Sequence, residues 1–287
     1  MTNTSATYPL AGRPVDRVGF GAMQLPGPGV LGPPRDHGEA IAVLRRVVDA
    51  GVNHIDTAQF YGPNVANELI REALHPYPDD LVIVSKVGAK RDESGGWHPA
   101  QSPDDLRAGV EDNLRTLDVE RLGAVNLRLH GGPETDVRFA DQLAEMVALR
   151  DEGKIGGIGI STASLAEVDE AIEIAGITCV QNAYSLLDQS DTEVLERCIE
   201  AGVAYVPYFP LGSAFPGLPK VTEDPTVIAV AEQLGATAAQ VGLAWLLRRA
   251  DNILLIPGTS SLAHLEENLA VRKVVLSDAD LAALDDR

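Results

Sequence analysis

Apolar runs rich in β-branched residues alternate with amphipathic stretches along the whole chain. Turn residues bound eight of these runs, and runs of this kind predict strands. The predicted strands are residues 15–23, 53–58, 81–87, 124–130, 155–161, 177–184, 203–209 and 252–258. Apolar spacings of three and four residues predict helices between them. The clearest predicted helices are residues 40–50, 106–117, 140–154, 166–175 and 192–201.

Strands that alternate with helices form a parallel sheet with right-handed crossovers. Eight such units predict the α/β class and a closed (β/α)8 TIM barrel, because an open nucleotide-binding sheet usually has fewer strands and a Gly-rich first turn. No linker interrupts the pattern, which predicts one domain over residues 1–287. Three longer interruptions, 27–38, 88–103 and 211–225, follow strands. We expect them to be loops over an active site, since barrel active sites lie at the carboxyl ends of the strands.

Composition and charge narrow the possible partners. The chain has 287 residues, of which 45% are hydrophobic, and its formal net charge is −19. Such a field repels phosphate backbones and anionic lipid, so we expect neither a nucleic acid nor a membrane partner. The two cysteines form no disulfide framework or metal knuckle. The first ten residues lack the basic and apolar regions of a signal peptide. We therefore expect a cytoplasmic protein, and a monomer is favoured over an oligomer.

Polar residues cluster at the carboxyl ends of three consecutive predicted strands. They are Asp56, Tyr61, Lys86 and His130. Taken singly, each has an ordinary explanation as a helix cap, a solvent-facing ammonium or a loop side chain. Together they suit carbonyl reduction, because a neighbouring ammonium lowers the pKa of a tyrosine that must act as an acid. Asp56 would position Lys86, and His130 would donate a hydrogen bond to the carbonyl oxygen. A metal hydrolase is the alternative explanation of His54-x-Asp56, but no other His, Cys or carboxylate set completes a coordination sphere.

Seven short segments follow one another in an ordered set: HIDTAQFYG, VSKVG, NLRLH, GIGIST, VQNAYS, YFPLG and IPGTSSLAHLEEN. In order and spacing they resemble the aldo-keto reductase superfamily over essentially the whole chain. The resemblance implies that the four polar residues form a catalytic tetrad, and that a nicotinamide cofactor supplies hydride to a small-molecule carbonyl substrate.

The same resemblance implies a nicotinamide site. Ser161 and Gln181 would bind the carboxamide, and Tyr208 would stack on the ring. Further cofactor contacts implied by the resemblance are Thr162, Pro210, Leu211 and Gly212. The family often has Ser-Asn at the end of the fifth strand, whereas this chain has Ser161-Thr162. Asn182 follows Gln181 and is one candidate to compensate for that difference.

The cofactor phosphates have two candidate sites. Gly21, Ala22 and Met23 end the first predicted strand, where small residues would let the cofactor approach closely. The better anion site is the helix start after the eighth strand, where free N–H groups and the helix dipole favour phosphate. Its hydroxyls belong to Thr259, Ser260 and Ser261, although helix capping by Ser261 is the ordinary explanation.

Members of the family that prefer NADPH commonly have Lys and Arg at the positions of Gly258 and His264. Both strong cations are absent, yet the hydroxyls and the protonatable His264 favour NADPH, with NADH possible. Lys at position 258 or Arg at position 264 is expected to strengthen NADPH binding. Glu267 and Asn268 match the family's adenine contacts.

The substrate pocket is expected to be apolar, with polar groups at its base. Met23, Phe60 and Trp97 would line it, and Arg128 is a further candidate substrate residue. Several stretches resemble a branch of the superfamily that includes pyridoxal reductases, which implies reduction of pyridoxal to pyridoxine. A broad-specificity aldehyde or ketone reductase is one alternative. An NADPH-binding regulatory or redox-sensing subunit with little turnover is another.

Arg128 is unusual because strand alternation places it on the same face as His130, inside the barrel. A buried arginine is costly unless it is paired. Gly157 and Gly159 on the next strand leave room for it. Two hypotheses remain open: Arg128 shares Asp56 with Lys86 under the site, or it forms a structural plug with Asn126.

Overall fold

The computed structural model describes residues 6–92, 94–130, 137–212 and 219–286. Ten strands lie in these ranges: β1 Thr7–Leu10, β2 Arg13–Asp16, β3 Phe20–Gly21, β4 His54–Asp56, β5 Val82–Arg91, β6 Trp97–Ala100, β7 Ala124–Arg128, β8 Ile158–Ser161, β9 Cys179–Gln181 and β10 Ala204–Tyr205. The α-helices described are α1 His37–Asp49, α2 Val65–Leu74, α3 Pro103–Leu117, α4 Phe139–Asp151, α5 Leu165–Ala175, α6 Thr192–Ala201, α7 Pro225–Leu234, α8 Ala238–Arg249, α9 Leu262–Leu269 and α10 Asp278–Asp285.

Seven parallel strands form the barrel wall in the order β10-β9-β8-β7-β5-β4-β3. The predicted eighth strand closes it through backbone hydrogen bonds at residues 252–255. On one side, the Tyr205 N–H donates to the Asn252 carbonyl at 2.9 Å. On the other side, the Gly19 N–H donates to the Leu255 carbonyl at 2.8 Å. The predicted (β/α)8 barrel is confirmed.

The first predicted strand, 15–23, is wrong as a single element. Its first residues belong to β2, which pairs antiparallel with β1, and only β3 belongs to the barrel wall. The break follows Asp16, whose carboxylate accepts a hydrogen bond from the Val18 N–H at 2.7 Å. The hairpin closes the amino-terminal end of the barrel, because Leu10 and Val15 pack with the interior side chains of the strands and are fully buried.

The segment 88–103 is only partly a loop. Strand β5 continues to Arg91 and pairs antiparallel with β6, so a hairpin extends beyond the carboxyl end of the barrel. Asp92 organises the turn, since its Oδ1 accepts hydrogen bonds from the N–H groups of Ser94 at 2.9 Å and Gly96 at 2.8 Å. In the segment 211–225, Val221–Glu223 forms one 3-10 turn, and residues 213–218 lie outside the described ranges.

Helix ends follow the capping residues in the sequence. Ser164 and Thr237 each complete a reciprocal capping box, with Glu167 and Gln240. Among the described residues, no single helix is long and apolar enough to cross a membrane. The pair α7 and α8 passes that test of length and composition only when the two are taken together across a 94° bend.

Candidate active site

Asp56 and Lys86 form a buried ion pair at the carboxyl ends of β4 and β5. The Lys86 ammonium donates to Asp56 Oδ1 and to the Thr57 carbonyl, the latter at 3.1 Å. The side chains of Lys86 and Asp56 are only 6% and 4% exposed, respectively. Tyr61 lies beside the pair, with Lys86 Nζ 5.1 Å from its ring centroid. A buried ammonium is thus held between a carboxylate and a phenol.

The pKa of Tyr61 reflects two opposing effects. Burial raises it, and Lys86 lowers it in part, but the result lies above the ordinary value. Lys86 therefore changes the Tyr61 pKa in the predicted direction, but burial outweighs it. For Lys86, burial favours the neutral amine, yet Asp56 and Tyr61 outweigh burial and raise the pKa of the ammonium. Lys86 is consequently charged across the neutral range.

A polar network behind the barrel wall supports both strand ends. Thr57 Oγ1 donates to Asn67 at 2.8 Å, and Ser85 Oγ donates to Asn113 at 2.5 Å. Asn67 also donates to Asn113 at 2.9 Å, which links the two. Since Thr57 follows Asp56 and Ser85 precedes Lys86, the network fixes the residues that flank the ion pair. Sequence analysis missed these residues, because asparagines on α2 and α3 meet only after the helices pack.

Gln181 is the second partner of the Asp56 carboxylate. Its Nε2 donates to Asp56 Oδ2 at 3.0 Å, while Lys86 takes the other oxygen. Gln181 was predicted as a nicotinamide contact, and this bond leaves its amide oxygen as the acceptor for such a contact. His130 is half-buried just beyond β7, on the face that alternation shares with Arg128.

These features agree with the comparison to known families. A model of the aldo/keto reductase family matches residues 17–287. The chain belongs to the aldo/keto reductase family. It is an oxidoreductase. It is 48% identical to pyridoxine 4-dehydrogenase of Escherichia coli strain K12 over 287 residues, which cover 98% of each chain.

Two solved structures from Klebsiella pneumoniae have the same fold. An aldo/keto reductase in complex with NADP and acetate superposes with a TM-score of 0.81 at 25% identity, covering 98% of this chain and 95% of that one. An aldo-keto reductase in complex with NADPH superposes with a TM-score of 0.81 at 26% identity, covering 98% and 94%.

The predicted nicotinamide contacts of this aldo/keto reductase lie at neighbouring strand ends. Ser161 is buried at the end of β8, and Tyr208 is half-buried beyond β10. Thr162 and Phe209, with φ of 63° and 53°, have left-handed backbones, a strained state that is common at functional sites. Asn182 does not compensate for Thr162, because its amide bonds Ala163 and Asp191.

The remaining predicted contacts near Tyr208 lie in a tight turn that follows the strand end. Gly212 donates to the Phe209 carbonyl at 2.9 Å, and the Leu211 carbonyl accepts from the Val221 N–H at 3.0 Å. Pro210 lies between Phe209 and Leu211 in this turn. The three residues therefore form a compact loop that begins directly after the left-handed Phe209.

The glycines at the barrel seam have a structural role. A Cβ at Gly21 would lie 2.6 Å from the Ile256 carbonyl oxygen, and one at Gly258 would lie 2.5 Å from the Gly21 carbonyl oxygen. The close approach that Gly21 permits is therefore that of the eighth strand. Lys at position 258 is expected to disturb this seam, so the prediction that it would strengthen NADPH binding is withdrawn. Ala22 is buried beside the seam, and Met23 is half-buried.

Helix α9 begins at the candidate phosphate site. Ser261 precedes it but makes no side-chain cap, so capping does not account for that hydroxyl. Thr259 Oγ1 accepts the Ser261 N–H at 3.0 Å. The Leu262 N–H donates to the carboxylate of Glu39 at 3.3 Å, which puts an acid at the helix start.

The other predicted contacts of this region are accessible. Ser260 and His264 are exposed, and Glu267 and Asn268 are half-buried on α9. The hydroxyls and these side chains at the start of α9 fit a phosphate-bearing cofactor, whereas the Glu39 carboxylate there opposes a further negative charge.

Arg128 does not share Asp56 with Lys86. Its guanidinium lies over Trp97, with Cζ 5.4 Å from the ring centroid. The space beside Gly159 is used by Asn126 instead, because a Cβ at Gly159 would lie 2.0 Å from Asn126 Oδ1. Asn126 in turn accepts a hydrogen bond from Cys179 at 3.2 Å.

Gly157 leaves no room for Arg128 either. A Cβ there would meet Thr178 and Ala11, at 2.8 and 2.9 Å. Phe60 and Trp97 form the predicted apolar wall, edge to face at 5.4 Å. Among the described residues, no group of three or more His, Cys, Asp or Glu side chains could hold a metal ion.

His54 makes the fold sensitive to acid. It is buried inside the barrel two residues before Asp56, and burial lowers its pKa from 6.5 to about 4 despite the Asp56 charge. The unfolded chain therefore binds a proton at a pH where the folded protein does not. The contribution of His54 to the free energy of unfolding is fully present above pH 6.5. It falls by about 3 kcal/mol as the pH is lowered to 4.

The prediction is tested by urea unfolding of the wild type and His54→Asn at pH 7 and pH 4. Carboxylates titrate in both proteins, so the His54 contribution is the difference between their acid-dependent losses. His264→Asn, at an exposed position, is the control and is expected to match the wild type. Equal losses in the wild type and His54→Asn would disprove the effect.

Proposed function

We propose that the protein is an NADPH-dependent carbonyl reductase that converts pyridoxal to pyridoxine, with Asp56, Tyr61, Lys86 and His130 as catalytic residues. The observation that carries the proposal is the buried Lys86–Asp56 ion pair, with the ammonium over the Tyr61 ring. The pair has no evident structural need, because a buried ion pair is seldom worth its desolvation cost to stability alone. It does serve a tyrosine that must gain and lose a proton.

Bound NADPH supplies hydride to the carbonyl carbon. Tyr61 donates its hydroxyl proton to the carbonyl oxygen, which becomes the alcohol of the product. Lys86 stabilises the phenolate that remains, and Asp56 keeps Lys86 charged and in position. His130 donates a hydrogen bond to the carbonyl oxygen and orients it. In the reverse reaction the Tyr61 phenolate accepts the alcohol proton.

The cofactor is proposed to extend from the strand ends to α9. Ser161, Gln181 and Tyr208 would hold the nicotinamide, with Gln181 linking that end to Asp56. The start of α9 would hold the adenosine phosphate. Support comes from the Klebsiella pneumoniae relatives, which were solved with NADP and NADPH.

The substrate assignment rests on similarity to pyridoxine 4-dehydrogenase and on the aromatic wall of Phe60 and Trp97, which suits a flat ring. The two cysteines are buried free thiols, which suits a reducing compartment, and we propose that the protein acts in the cytoplasm.

The test is NADPH oxidation with pyridoxal, followed by absorbance, with pyridoxine identified by chromatography. Neutral aldehydes measured in parallel distinguish a pyridoxal reductase from a broad-specificity aldehyde reductase. Oxidation no faster than in the absence of protein would reject the proposed activity.

Cofactor preference is expected to respond to two charges at α9. Glu39→Gln removes an acid from the helix start, and His264→Arg adds a cation to the first turn. Each should tighten NADPH binding, by roughly 10-fold for His264→Arg, and leave NADH nearly unchanged, because only NADPH has a 2′-phosphate.

Fluorescence titration with both cofactors measures the effect. Glu266→Gln is the control, since it removes an acid from the same helix at a position paired with Arg46. An equal gain for NADH would show that neither residue faces the phosphate.

A further inference from the structure

Two arginines lie over the Trp97 ring at the mouth of the site. Arg91 Cζ lies 4.2 Å from the indole centroid, and Arg128 Cζ lies 5.4 Å from it. Arg91 reaches Trp97 across the β5–β6 hairpin, where the two residues are paired. Trp97 is 41% exposed, so the arginine–tryptophan cluster of these three residues borders both solvent and the pocket.

Both guanidinium groups have buried N–H groups without an acceptor in the described structure. Arg91 Nε and Nη1, and Arg128 Nε, are buried without a hydrogen-bond partner there. Arg91 has one bond, from Nη2 to the Gly29 carbonyl at 3.2 Å. Buried donors left unpaired are costly, so acceptors must come from solvent or from a bound molecule.

Several other arginines in this acidic chain are paired with carboxylates. Arg107, for example, bonds Glu152 through both Nη atoms at 2.7 Å. The acid next to Arg91 is Asp92, but its oxygens accept hydrogen bonds from the turn of its own hairpin and from His98 at 2.6 Å. Asp92 stays charged but pairs with neither guanidinium, so two arginines against one neighbouring carboxylate leave the cluster locally positive in a chain of net charge −19.

The cluster is close to the reacting position. Phe60 contacts Trp97 and Tyr61 edge to face, each at a centroid distance of 5.4 Å. One aromatic ring thus separates the cluster from the proposed acid. The positive charge of Arg128 also acts on the Tyr61 hydroxyl.

We propose that Arg128, supported by Arg91 on Trp97, binds an oxyanion of the substrate, so that the enzyme selects aldehydes carrying a phenolate or carboxylate on the ring that bears the carbonyl. The inference rests on the proposed reductase activity and adds a substrate class to it. Pyridoxal belongs to that class, because an ionisable hydroxyl is next to its aldehyde.

The test compares 3-formylbenzoate with 3-formylbenzamide, which have similar shapes and differ in charge. The wild type should favour the benzoate in kcat/KM by roughly 10- to 100-fold, the range of a charge-assisted hydrogen bond. Arg128→Met should bring the ratio close to one, and Arg128→Lys should retain part of it. Any effect of Arg128 on Tyr61 is common to both aldehydes and cancels in the ratio. Arg45→Met, on α1, is the control and should keep the wild-type ratio.

A binding measurement separates this proposal from the activity itself. Calorimetric titration of the NADP⁺-saturated protein should show benzoate binding at least tenfold more tightly than benzamide, and Arg128→Met should abolish that difference. Reduction of both aldehydes at equal kcat/KM, without preferential benzoate binding, overturns the anion site and leaves the reductase. Arg128-dependent benzoate binding without reduction of either aldehyde overturns the reductase and leaves the anion site. If the protein shows no preference for benzoate and reduces neither aldehyde, both the anion site and the reductase are overturned.

Discussion

Tyr61→Phe is expected to lower kcat for carbonyl reduction by at least roughly 10²-fold, the usual cost of a lost general acid. The hydroxyl beside Lys86 is the proposed proton donor, whereas the ring only packs against Phe60, edge to face. Phenylalanine keeps that packing, so the Kd for NADPH should change little. Steady-state kinetics and fluorescence titration measure the two quantities separately.

Tyr77→Phe is the matched control. The Tyr77 hydroxyl is also partly buried and donates to the Leu117 carbonyl at 2.7 Å, but it lies away from the strand ends that carry the site. Its loss should reduce stability and leave kcat unchanged. Near-normal kcat in Tyr61→Phe would mean that another group protonates the carbonyl oxygen.

Periodicity predicted the inward positions of the strands at 124–130 and 155–161, because strand alternation is a local property. Lys86 pairs in register with Asn126, and Arg128 with Ser161, so inward positions predicted on separate strands form shared layers. The order of strands followed from their alternation with helices, since right-handed crossovers leave few arrangements.

Contacts across the barrel could not be predicted in this way. Gln181 and Asp56 lie 125 positions apart, and only closure of the barrel brings them together. Gly258 illustrates the same limit. Its sequence position matches a cofactor contact, but its geometry is set by the opposing Gly21 carbonyl.

The β5–β6 hairpin was missed for a different reason. Strand β6 has the sequence Trp-His-Pro-Ala, which contains a proline and shows no apolar alternation. Its pairing depends on the Asp92 turn and on a long β5. Arg128 therefore had no visible partner in the sequence, and the acid Asp56 was assigned to it in place of Trp97.

Lys86→Met is expected to move the pH dependence of alcohol oxidation to higher pH. Burial already raises the pKa of Tyr61, and Lys86 is the largest effect that opposes burial. Without the ammonium the pKa rises further. Oxidation needs the phenolate, so its rate increases as pH rises through that pKa, and the increase must begin later in the variant. Reduction should slow at neutral pH as well, because Tyr61 becomes a weaker acid.

The substitution also leaves Asp56 as a buried carboxylate whose remaining partner is Gln181 in the described structure, a change that typically costs about 3–5 kcal/mol. Loss of folding would then imitate loss of catalysis. Asp56→Asn combined with Lys86→Met removes the unpaired charge and should restore stability in urea unfolding. The double variant should nevertheless keep part of the displacement of the pH profile of pyridoxine oxidation, because Lys86 affects the pKa of Tyr61 more than Asp56 does. A double variant with the wild-type profile would show that Lys86 serves only to neutralise Asp56.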